Sequence, residues 1–249
     1  MKAMILAAGL GTRLKPWTLE HPKALVPVDG VPMLERVIRK LKHQGFNEIV
    51  VNVHHFAEQI IDYLHANDFG VNIQISDERN RLLDTGGGLL HAAGLLAGGP
   101  FLVHNVDILG NADLATLMKT HEDGGNMVTL LTSIRNSSRR LLFDMEGNLV
   151  GWHNLNTDEY KPSSACALTD VTAEAFSGIY VMGEEAMSEL RRYADKKGEE
   201  VFPIMEFFLS SFDNLKIRRY RVDNLSLLDI GKPDTLAQAS GLLRVIGDD

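Results

Sequence analysis

The stretch MKAMILAAGLGTRL at residues 1–14 decides the fold. Residues 2–8 form a largely apolar run of the kind found in strands that are covered on both faces, and residues 9–11 follow as a glycine-rich turn. Because small residues let the backbone approach a ligand closely, the turn is a candidate binding loop as well as a connection.

Strand and helix patterns alternate along the first half of the chain. The predicted elements are a helix at 32–44, a strand at 48–53, a helix at 57–66, a strand at 71–76, a helix at 85–96 that opens on three glycines, a strand at 101–105 and a helix at 114–120. This alternation predicts an α/β fold, with a Rossmann-like, mostly parallel sheet flanked by helices and joined by right-handed crossovers.

The second half has a different pattern. We expect strands at 127–133, 173–181, 216–221 and 225–230, a hairpin with strands at 141–144 and 149–152, a loop at 154–170, and helices at 203–211 and within 231–243. This half is therefore predicted to be more antiparallel. With no repeat or convincing linker between the halves, we expect one domain over residues 1–249.

Composition and charge exclude several classes of protein. The 25 Lys and Arg residues against 33 Asp and Glu give a net charge of −8, which argues against nucleic acid as the main partner. The single cysteine, Cys166, forbids an internal disulfide and favours a cytoplasmic location. No apolar run reaches the roughly 18 residues of a membrane span, so we expect no membrane partner. A monomer or a small homo-oligomer is expected.

Two segments could bind phosphate. The loop from Ala7 to Arg13 offers backbone N–H groups and the guanidinium of Arg13, although a tight turn that binds nothing is the alternative. Lys23 lies between Pro22 and Pro27, which stiffen the chain around a compact positive charge, but it could equally be a surface lysine.

Two further segments carry candidate chemistry. The glycines of Thr85-Gly86-Gly87-Gly88 would let a flat ligand lie against the backbone, with a flexible loop as the alternative. Asp107 and Asp229 each follow a probable strand end, where ligands of parallel sheets bind and where Mg²⁺ would find carboxylates. Taken singly, each aspartate could merely begin a turn.

Taken together and in order, these blocks resemble the signature of the sugar-1-phosphate nucleotidyltransferases. The resemblance rests on LAAGLGTRLKP at 6–16, PKALVPV at 22–28, TGGG at 85–88, NVD at 105–107, FSGI at 176–179 and DIG at 229–231. It covers nearly the whole chain. The family commonly has glycine where this chain has Val106 and an aromatic residue where it has Leu227. Among subgroups, the chain looks most like N-acetylmuramate-1-phosphate uridylyltransferases and short mannose- or glucose-1-phosphate nucleotidyltransferases.

The resemblance implies transfer of a nucleoside monophosphate from a nucleoside triphosphate to a sugar 1-phosphate. The implied nucleotide-binding residues are Ala7, Ala8, Gly9, Gly11, Thr12, Arg13, Lys23, Gly86, Gly87 and Asn105. Arg13 and Lys23 are also the implied catalytic residues, Asn105 and Gly178 would contact the sugar phosphate, and Asp107 with Asp229 would hold Mg²⁺.

The resemblance further implies that residues 1–125 form a nucleotide-binding half and residues 126–249 a sugar-phosphate-binding half. The product would be a precursor for cell wall or polysaccharide, but neither the base nor the sugar follows from these residues.

Two other functions remain open at this stage. One is a phosphocholine-type cytidylyltransferase on the same scaffold, for which Trp152, Tyr160, Phe176 and Tyr180 would form an aromatic cage around the quaternary ammonium. The other is a nucleotide-sugar sensor that binds without turnover. A dinucleotide dehydrogenase is disfavoured, because the glycine spacing and the ribose-binding acid that it needs are missing.

Overall fold

Strand β1 (Lys2–Leu6) lies at the centre of the sheet in the computed structural model, which describes residues 1–247. The other elements of the first half are β2 (Pro27–Val28), β3 (Val31–Pro32), α1 (Met33–His43), β4 (Glu48–Val53), α2 (Ala57–Ala66), β5 (Asn72–Asp77), α3 (Asp84–His91), α4 (Ala93–Leu96), β6 (Phe101–Asn105), β7 (Ile108–Gly110) and α5 (Leu114–Gly124). Their order is the predicted one.

The front of the sheet is parallel. β1 pairs with β4 on one side and with β6 on the other, and β4 pairs in turn with β5. The strand order β5-β4-β1-β6 brings the carboxyl ends of all four strands to one edge, which is where the candidate residues lie. The predicted Rossmann-like fold class is confirmed.

The back half adds mostly antiparallel strands. Its elements are β8 (Val128–Ser133), β9 (Arg139–Phe143), β10 (Leu149–Asn154), β11 (Glu159–Lys161), β12 (Thr172–Met182), α6 (Glu184–Lys197), α7 (Ile204–Ser211), β13 (Ile217–Arg221), β14 (Leu227–Asp229) and α8 (Pro233–Ile246). The long strand β12 joins the halves, because it runs antiparallel to β6 on one edge and to β8 and β9 on the other.

Three elements of the back half were not predicted. Residues 154–170 are not only a loop, since β11 extends the β9–β10 hairpin and a 3-10 helix, Ser163–Ala167, follows it. The third is α6, which buries only Ala186 and Leu190 and so has a weak apolar pattern. In the front half, the glycines at 86–88 lie inside α3, within the helix predicted at 85–96, and not in the flexible loop that was the alternative.

Apolar side chains cover both faces of the sheet. Alternate residues of β1 point to opposite sides, so that Ala3 and Ile5 join one cluster with α1 and α2, whereas Met4 joins a second cluster with α6 and α7. A third cluster packs α8 against residues beside the candidate site, including Leu14 and Ile230. Within residues 1–247, none of the helices combines the length and apolar character needed to cross a bilayer.

Candidate active site

The glycine-rich loop leaves the carboxyl end of β1 and is held in place by three segments of the chain. The Asn52 side chain, at the end of β4, accepts a hydrogen bond from Ala7 N at 2.7 Å, and Thr18 Oγ1 donates to Gly11 O at 2.9 Å. Gly11 has φ of +61°, and a Cβ there would lie 2.8 Å from Lys23 Cβ, so only glycine fits. The predicted binding loop is therefore fixed directly against Lys23.

Lys23 contacts the first candidate metal ligand. It lies in a 3-10 helix after Pro22, and its Nζ donates a short hydrogen bond to Asp107 Oδ2. Both side chains are largely buried, at 13% and 14% exposure, so water screens their charges weakly. The fold therefore places Lys23 directly beside Asp107, a contact that the sequence did not predict.

Pairing of β7 with β14 brings the second aspartate to the first. Asp229 stands opposite Ile108 in the register of this two-stranded sheet, and Ile230 N donates to Asp107 O at 2.8 Å. The Asp107 carboxylate lies close enough to Asp229 to help raise the pKa of Asp229, although the two residues are 122 positions apart in the sequence. Only the fold creates this pair.

The surroundings of Asp229 change the pKa of its carboxyl group. The pKa of its carboxyl is raised, first because surrounding protein removes part of its water and second because Asp107 is negatively charged, while Lys23 and Arg13 oppose the shift. Asp229 as a residue stays exposed, so solvent reaches it and screens part of these interactions. The two carboxylates would be stabilised by a bound cation, and the two basic side chains would be stabilised by anionic groups. The site therefore favours a ligand that brings both.

Arg13 reaches the same place from the glycine-rich loop. A Cβ on Gly231 would collide with the Arg13 Nη2 atom and would lie 2.7 Å from Asp229 Oδ1. Because Gly231 has no side chain, the Arg13 guanidinium has room to approach the second carboxylate. Arg13, Lys23, Asp107 and Asp229 thus converge from four separate segments.

The carboxylate pair fits a magnesium ion. Carboxylate oxygens are hard ligands, and Mg²⁺ in enzymes commonly takes one or two of them together with substrate phosphates and water. Among the described residues, no group of three or more His, Cys, Asp or Glu side chains forms a complete protein cage, so any ion here would depend on further oxygens from substrates. The donor set of Asp107 and Asp229 matches that pattern.

A cavity of about 290 Å³ opens beside these groups. Its walls include Ala8, Gly9, Lys23, Asn105 and Asp107, all of them predicted site residues. A larger cavity of about 970 Å³ lies between α1, the loop after α2 and the end of α8, but none of the predicted site residues lines it. The smaller cavity is the candidate site because, of the two, it alone is lined by members of the converging charged group, Lys23 and Asp107.

Asn105 and Gly178 meet at the back of this region. Gly178 has φ of +77°, and a Cβ there would lie 2.8 Å from Asn105 Nδ2. The glycine falls where the register between β12 and β8 shifts, between Phe176 and Tyr180. Bulges of this kind re-aim a strand next to active sites. The structure thus brings the two residues expected at the sugar phosphate into contact.

Gly86 and Gly87 lie beside the site for a packing reason. A Cβ on Gly86 would lie 2.9 Å from Phe202 O and would collide with the Phe202 ring, and one on Gly87 would collide with Glu200 O. The flexible loop that was the alternative for these glycines is not observed, because they lie in α3 and let it pack against the chain before α7. Contact between these glycines and a nucleotide stays a prediction.

Sequence reasoning singled out Thr85 together with those glycines but gave neither Thr85 nor Asp84 a role of its own. Asp84 and Thr85 line the cavity, and Asp84 has φ of +60°, an uncommon backbone conformation that is found at functional sites. Asn52 also lines the cavity, and its signal was present as the only polar residue near the end of the apolar strand Ile49–Val53. Its neighbour Glu78 is buried, and Glu78 Oε1 accepts a hydrogen bond from Asn52 Nδ2 at 2.8 Å.

The aromatic residues expected of a choline site do not form an open cage. Tyr180 is 1% exposed and packs edge-on against Phe208 in the core. Tyr160 stacks on His153, and the Lys161 ammonium lies 5.4 Å from the Trp152 ring centroid, where it occupies the ring face that a ligand cation would need. The cage prediction is therefore wrong.

Comparisons with known proteins agree with this arrangement. A family model described as nucleotidyl transferase matches residues 2–244. An N-acetylmuramate alpha-1-phosphate uridylyltransferase of Caulobacter vibrioides is 45% identical over 108 residues, which are 42% of this chain and 45% of that protein. A mannose-1-phosphate guanyltransferase of Schizosaccharomyces pombe is 31% identical over an alignment that covers 100% of this chain and 70% of the relative.

The fold has close counterparts among solved structures. A putative glucose-1-phosphate thymidylyltransferase from Bacillus anthracis superposes with a TM-score of 0.82 at 17% identity, over 98% of this chain and 95% of the other. At that identity the likeness concerns the fold alone. Several curated relatives are longer than the matched region, and the chain spans about half of their length.

Proposed function

Because the chain belongs to the nucleotidyl transferase family, we propose that it is a sugar-1-phosphate nucleotidyltransferase. It would convert a nucleoside triphosphate and a sugar 1-phosphate to a nucleoside-diphosphate sugar and pyrophosphate. The convergence of Arg13, Lys23, Asp107 and Asp229 at the carboxyl edge of the parallel sheet carries the proposal. Relatives named as uridylyl- and guanylyltransferases of sugar phosphates support the substrate class.

The reaction needs positioning and charge neutralisation. One oxygen of the sugar phosphate forms a bond to the α-phosphorus while the bond between that phosphorus and the bridging oxygen breaks, and pyrophosphate leaves with the bond's electron pair. The attacking phosphate is already an anion, so no general base is required. Electrostatic stabilisation by fixed cations is the main contribution available to such a transfer.

The glycine-rich loop, Arg13 and Lys23 each bind a different part of the phosphate groups. Backbone N–H groups of residues 8–13 cradle the triphosphate, and Arg13 neutralises charge on the pyrophosphate that leaves. Lys23 neutralises charge around the α-phosphate and the sugar phosphate. This assignment is supported by the contact of the loop with Lys23 at Gly11 and by the approach of Arg13 to Asp229.

Asp107 and Asp229 would hold Mg²⁺. When bound, the ion would offset the negative charge of the phosphates. Lys23 would then move from Asp107 to substrate phosphate, since a lysine ammonium is a mobile point charge on a flexible stem. Binding of a metal would also relieve the repulsion that raises the pKa of Asp229.

Substrates divide between the halves of the domain in this proposal. Residues 1–125 bind the nucleotide through the loop and the cavity at Asn52, and residues 126–249 bind the sugar phosphate around Gly178. Nucleoside triphosphates as substrates and an exposed free cysteine, Cys166, favour a cytoplasmic location. The products would serve cell-wall or polysaccharide synthesis.

A matrix of substrates tests the function. The protein is incubated with Mg²⁺, each of UTP, GTP, CTP, ATP and dTTP, and each of glucose, mannose and N-acetylmuramate 1-phosphates, and pyrophosphate release is measured. Release with at least one pair is expected, and the Asp107→Asn variant should release none. Nucleotide binding without release in any pair would instead favour a sensor and overturn the proposal.

A further inference from the structure

Arg135 brings a third guanidinium or ammonium group toward the site from the sugar-phosphate-binding half. It follows the end of β8 by two residues and is half-buried. Its Nη2 donates to Phe176 O at 2.8 Å, but its Nε is buried and has no hydrogen-bond partner. The side chain forms no ion pair with any carboxylate of residues 1–247.

A half-buried guanidinium that has no carboxylate partner is unusual in a folded protein. Charges removed from water are normally paired, because an unpaired one destabilises the fold. Burial lowers the pKa of Arg135, and the charge of Asp229 opposes that shift. The described chain therefore supplies a distant opposite charge but no direct partner, and an anion from outside the chain would complete the site.

The surroundings of Arg135 point to the acceptor rather than the nucleotide. Its hydrogen-bond acceptor, Phe176 O, lies two residues before Gly178, which touches Asn105. Ser133, two residues earlier on β8, is also buried with an unpartnered hydroxyl. Among residues 1–247, no hydrogen bond or ion pair joins the glycine-rich loop, which is expected to bind the triphosphate, to Arg135 or Ser133.

We propose that Arg135 binds an anionic oxygen group of the acceptor, either the phosphate of the sugar 1-phosphate or a carboxylate carried elsewhere on the sugar. This inference rests on the proposed function, because it takes the sugar phosphate as the acceptor. The planar guanidinium presents parallel N–H donors that match phosphate and carboxylate equally well. Arg135 would thus add acceptor affinity that Arg13 and Lys23 do not provide.

A purely structural role gives a different expectation. If Arg135 only holds the Phe176 carbonyl in place, its loss would distort the bulge at Gly178 and weaken the site as a whole. Arg135→Lys can still donate to that carbonyl but lacks the planar fork. Arg135→Gln removes the charge, and Arg139→Gln removes an exposed arginine of β9 as the matched control.

Calorimetric titrations of the whole protein in Mg²⁺ separate the possibilities. The probes are glucose 1-phosphate, N-acetylmuramate 1-phosphate, which carries a carboxylate as well, and UTP. We expect Arg135→Gln to raise the Kd of a sugar phosphate by about 10- to 100-fold, the effect of losing a charged hydrogen bond. Arg135→Lys should recover part of that loss, and UTP affinity should change less than about threefold.

The pattern across probes identifies the group that is bound. Weakening of both sugar phosphates supports a contact with phosphate, and weakening of N-acetylmuramate 1-phosphate alone supports a contact with the carboxylate. Unchanged binding of both, or an equal loss for UTP and the sugar phosphates, overturns the inference. If Arg135→Gln fails to fold, the same comparison is made with Arg135→Lys.

These outcomes are distinct from failure of the proposed function. Wild-type protein that binds neither sugar phosphate would overturn the acceptor class and the inference together. Wild-type protein that binds them, with Arg135 variants that bind them equally well, would overturn the role of Arg135 alone.

Discussion

At the scale of single residues, the candidate site consists of charges that neutralise one another until substrates arrive. Lys23 is bonded to Asp107, and Arg13 approaches Asp229 across Gly231. These contacts keep four charged groups oriented in a partly desolvated place. Preorganised charges of this kind stabilise a transition state without having to rearrange at the moment of reaction.

Replacing Lys23 tests its part in that arrangement. We expect Lys23→Ala to lower kcat by about 100- to 1,000-fold, the usual effect of removing one preorganised donor. The KM for the nucleotide should change much less, since the charge matters most as phosphate charge redistributes. Steady-state pyrophosphate release measures both, with the exposed Lys119→Ala as control. A raised KM at constant kcat would contradict this role.

We expect the ionised Asp229 carboxylate to lower the stability of the metal-free fold while it provides a ligand for the metal ion. Its pKa is raised in the fold, so the folded protein holds this proton more tightly than the unfolded chain, and ionisation at neutral pH lowers stability. We expect Asp229→Asn to raise the Tm without metal by about 1–3 °C, to abolish turnover and to lose the Mg²⁺-induced rise in Tm that the wild type shows.

Differential scanning fluorimetry with and without Mg²⁺ measures these shifts. Asp62→Asn, an exposed change on α2, is the control and should keep the wild-type response to Mg²⁺. An Asp229→Asn protein that still gains stability from Mg²⁺ would mean that the ion binds elsewhere.

Gly231 offers a test of Arg13 that leaves Arg13 in place. A methyl group at residue 231 would displace the Arg13 guanidinium, the far end of a flexible side chain, and would also crowd Asp229 Oδ1, so the variant tests the approach of Arg13 to Asp229. We therefore expect Gly231→Ala to reduce kcat/KM by at least about tenfold while stability changes by less than about 1 kcal/mol.

A matched glycine on α8 serves as the control. At Gly241 a Cβ would meet nothing within 4 Å, so Gly241→Ala should keep full activity and gain about 0.5–1 kcal/mol of stability from helix propensity. Equal activity of the two variants would show that Arg13 is not needed where the structure places it.

At the scale of elements, helix α3 shows how packing decides what a glycine-rich segment does. Its glycines lie against Phe202 and Glu200, and Gly86 N donates to Phe202 O at 2.9 Å. Thr85 Oγ1 accepts from Ile204 N at 2.9 Å, so the start of α3 is tied to the start of α7. Helix α3 thereby holds Asp84 and Thr85 at the cavity.

A methyl group in that contact should loosen the cavity wall. Because the obstacle at Gly87 is the backbone carbonyl of Glu200, which cannot rotate away, Gly87→Ala should cost about 1–3 kcal/mol, as overpacking does. Gly94→Ala on α4, where a Cβ meets nothing within 4 Å, is the control and should not destabilise. Urea denaturation measures both, and a neutral Gly87→Ala would refute the close packing.

At the scale of the whole molecule, two buried histidines make stability depend on pH. Burial lowers the pKa of His104 to about 3 and that of His121 to about 4. Both are therefore neutral in the fold, whereas in the unfolded chain they take up protons below about pH 6.5. Acid thus favours the unfolded chain, and stability rises with pH over this range.

We expect the free energy of unfolding to fall as the pH drops from about 6.5 toward 5, by about 1.4 kcal/mol per pH unit for each histidine. Urea titrations at successive pH values measure the slope. His121→Gln should flatten it, and His43→Gln, on the surface end of α1, should not. A stability that stays constant over this range would contradict the burial of these rings as neutral groups.

Sequence patterns were strongest where local periodicity and burial coincide. The strands at 48–53 and 101–105 and the helix at 57–66 begin and end at the predicted residues, because each is a regular run bounded by turn residues. Helix α6 was not predicted because only two of its residues are buried and the rest of its surface is largely charged. Strand β11 was not predicted because its three residues form a strand only by pairing with β10.

The sequence by itself determined the α/β class and the order of the strands that carry the candidate site, and it predicted Arg13, Lys23, Asp107 and Asp229 as site residues. Those follow from local pattern and from motifs, which are properties of neighbouring residues. Only the tertiary structure decided that β7 and β14 join the two aspartates, that Gly86 and Gly87 pack against Phe202 and Glu200, and that Arg135 donates to Phe176 O without an ion pair among residues 1–247. Such contacts join segments far apart in the chain, and no local pattern encodes the distance between them.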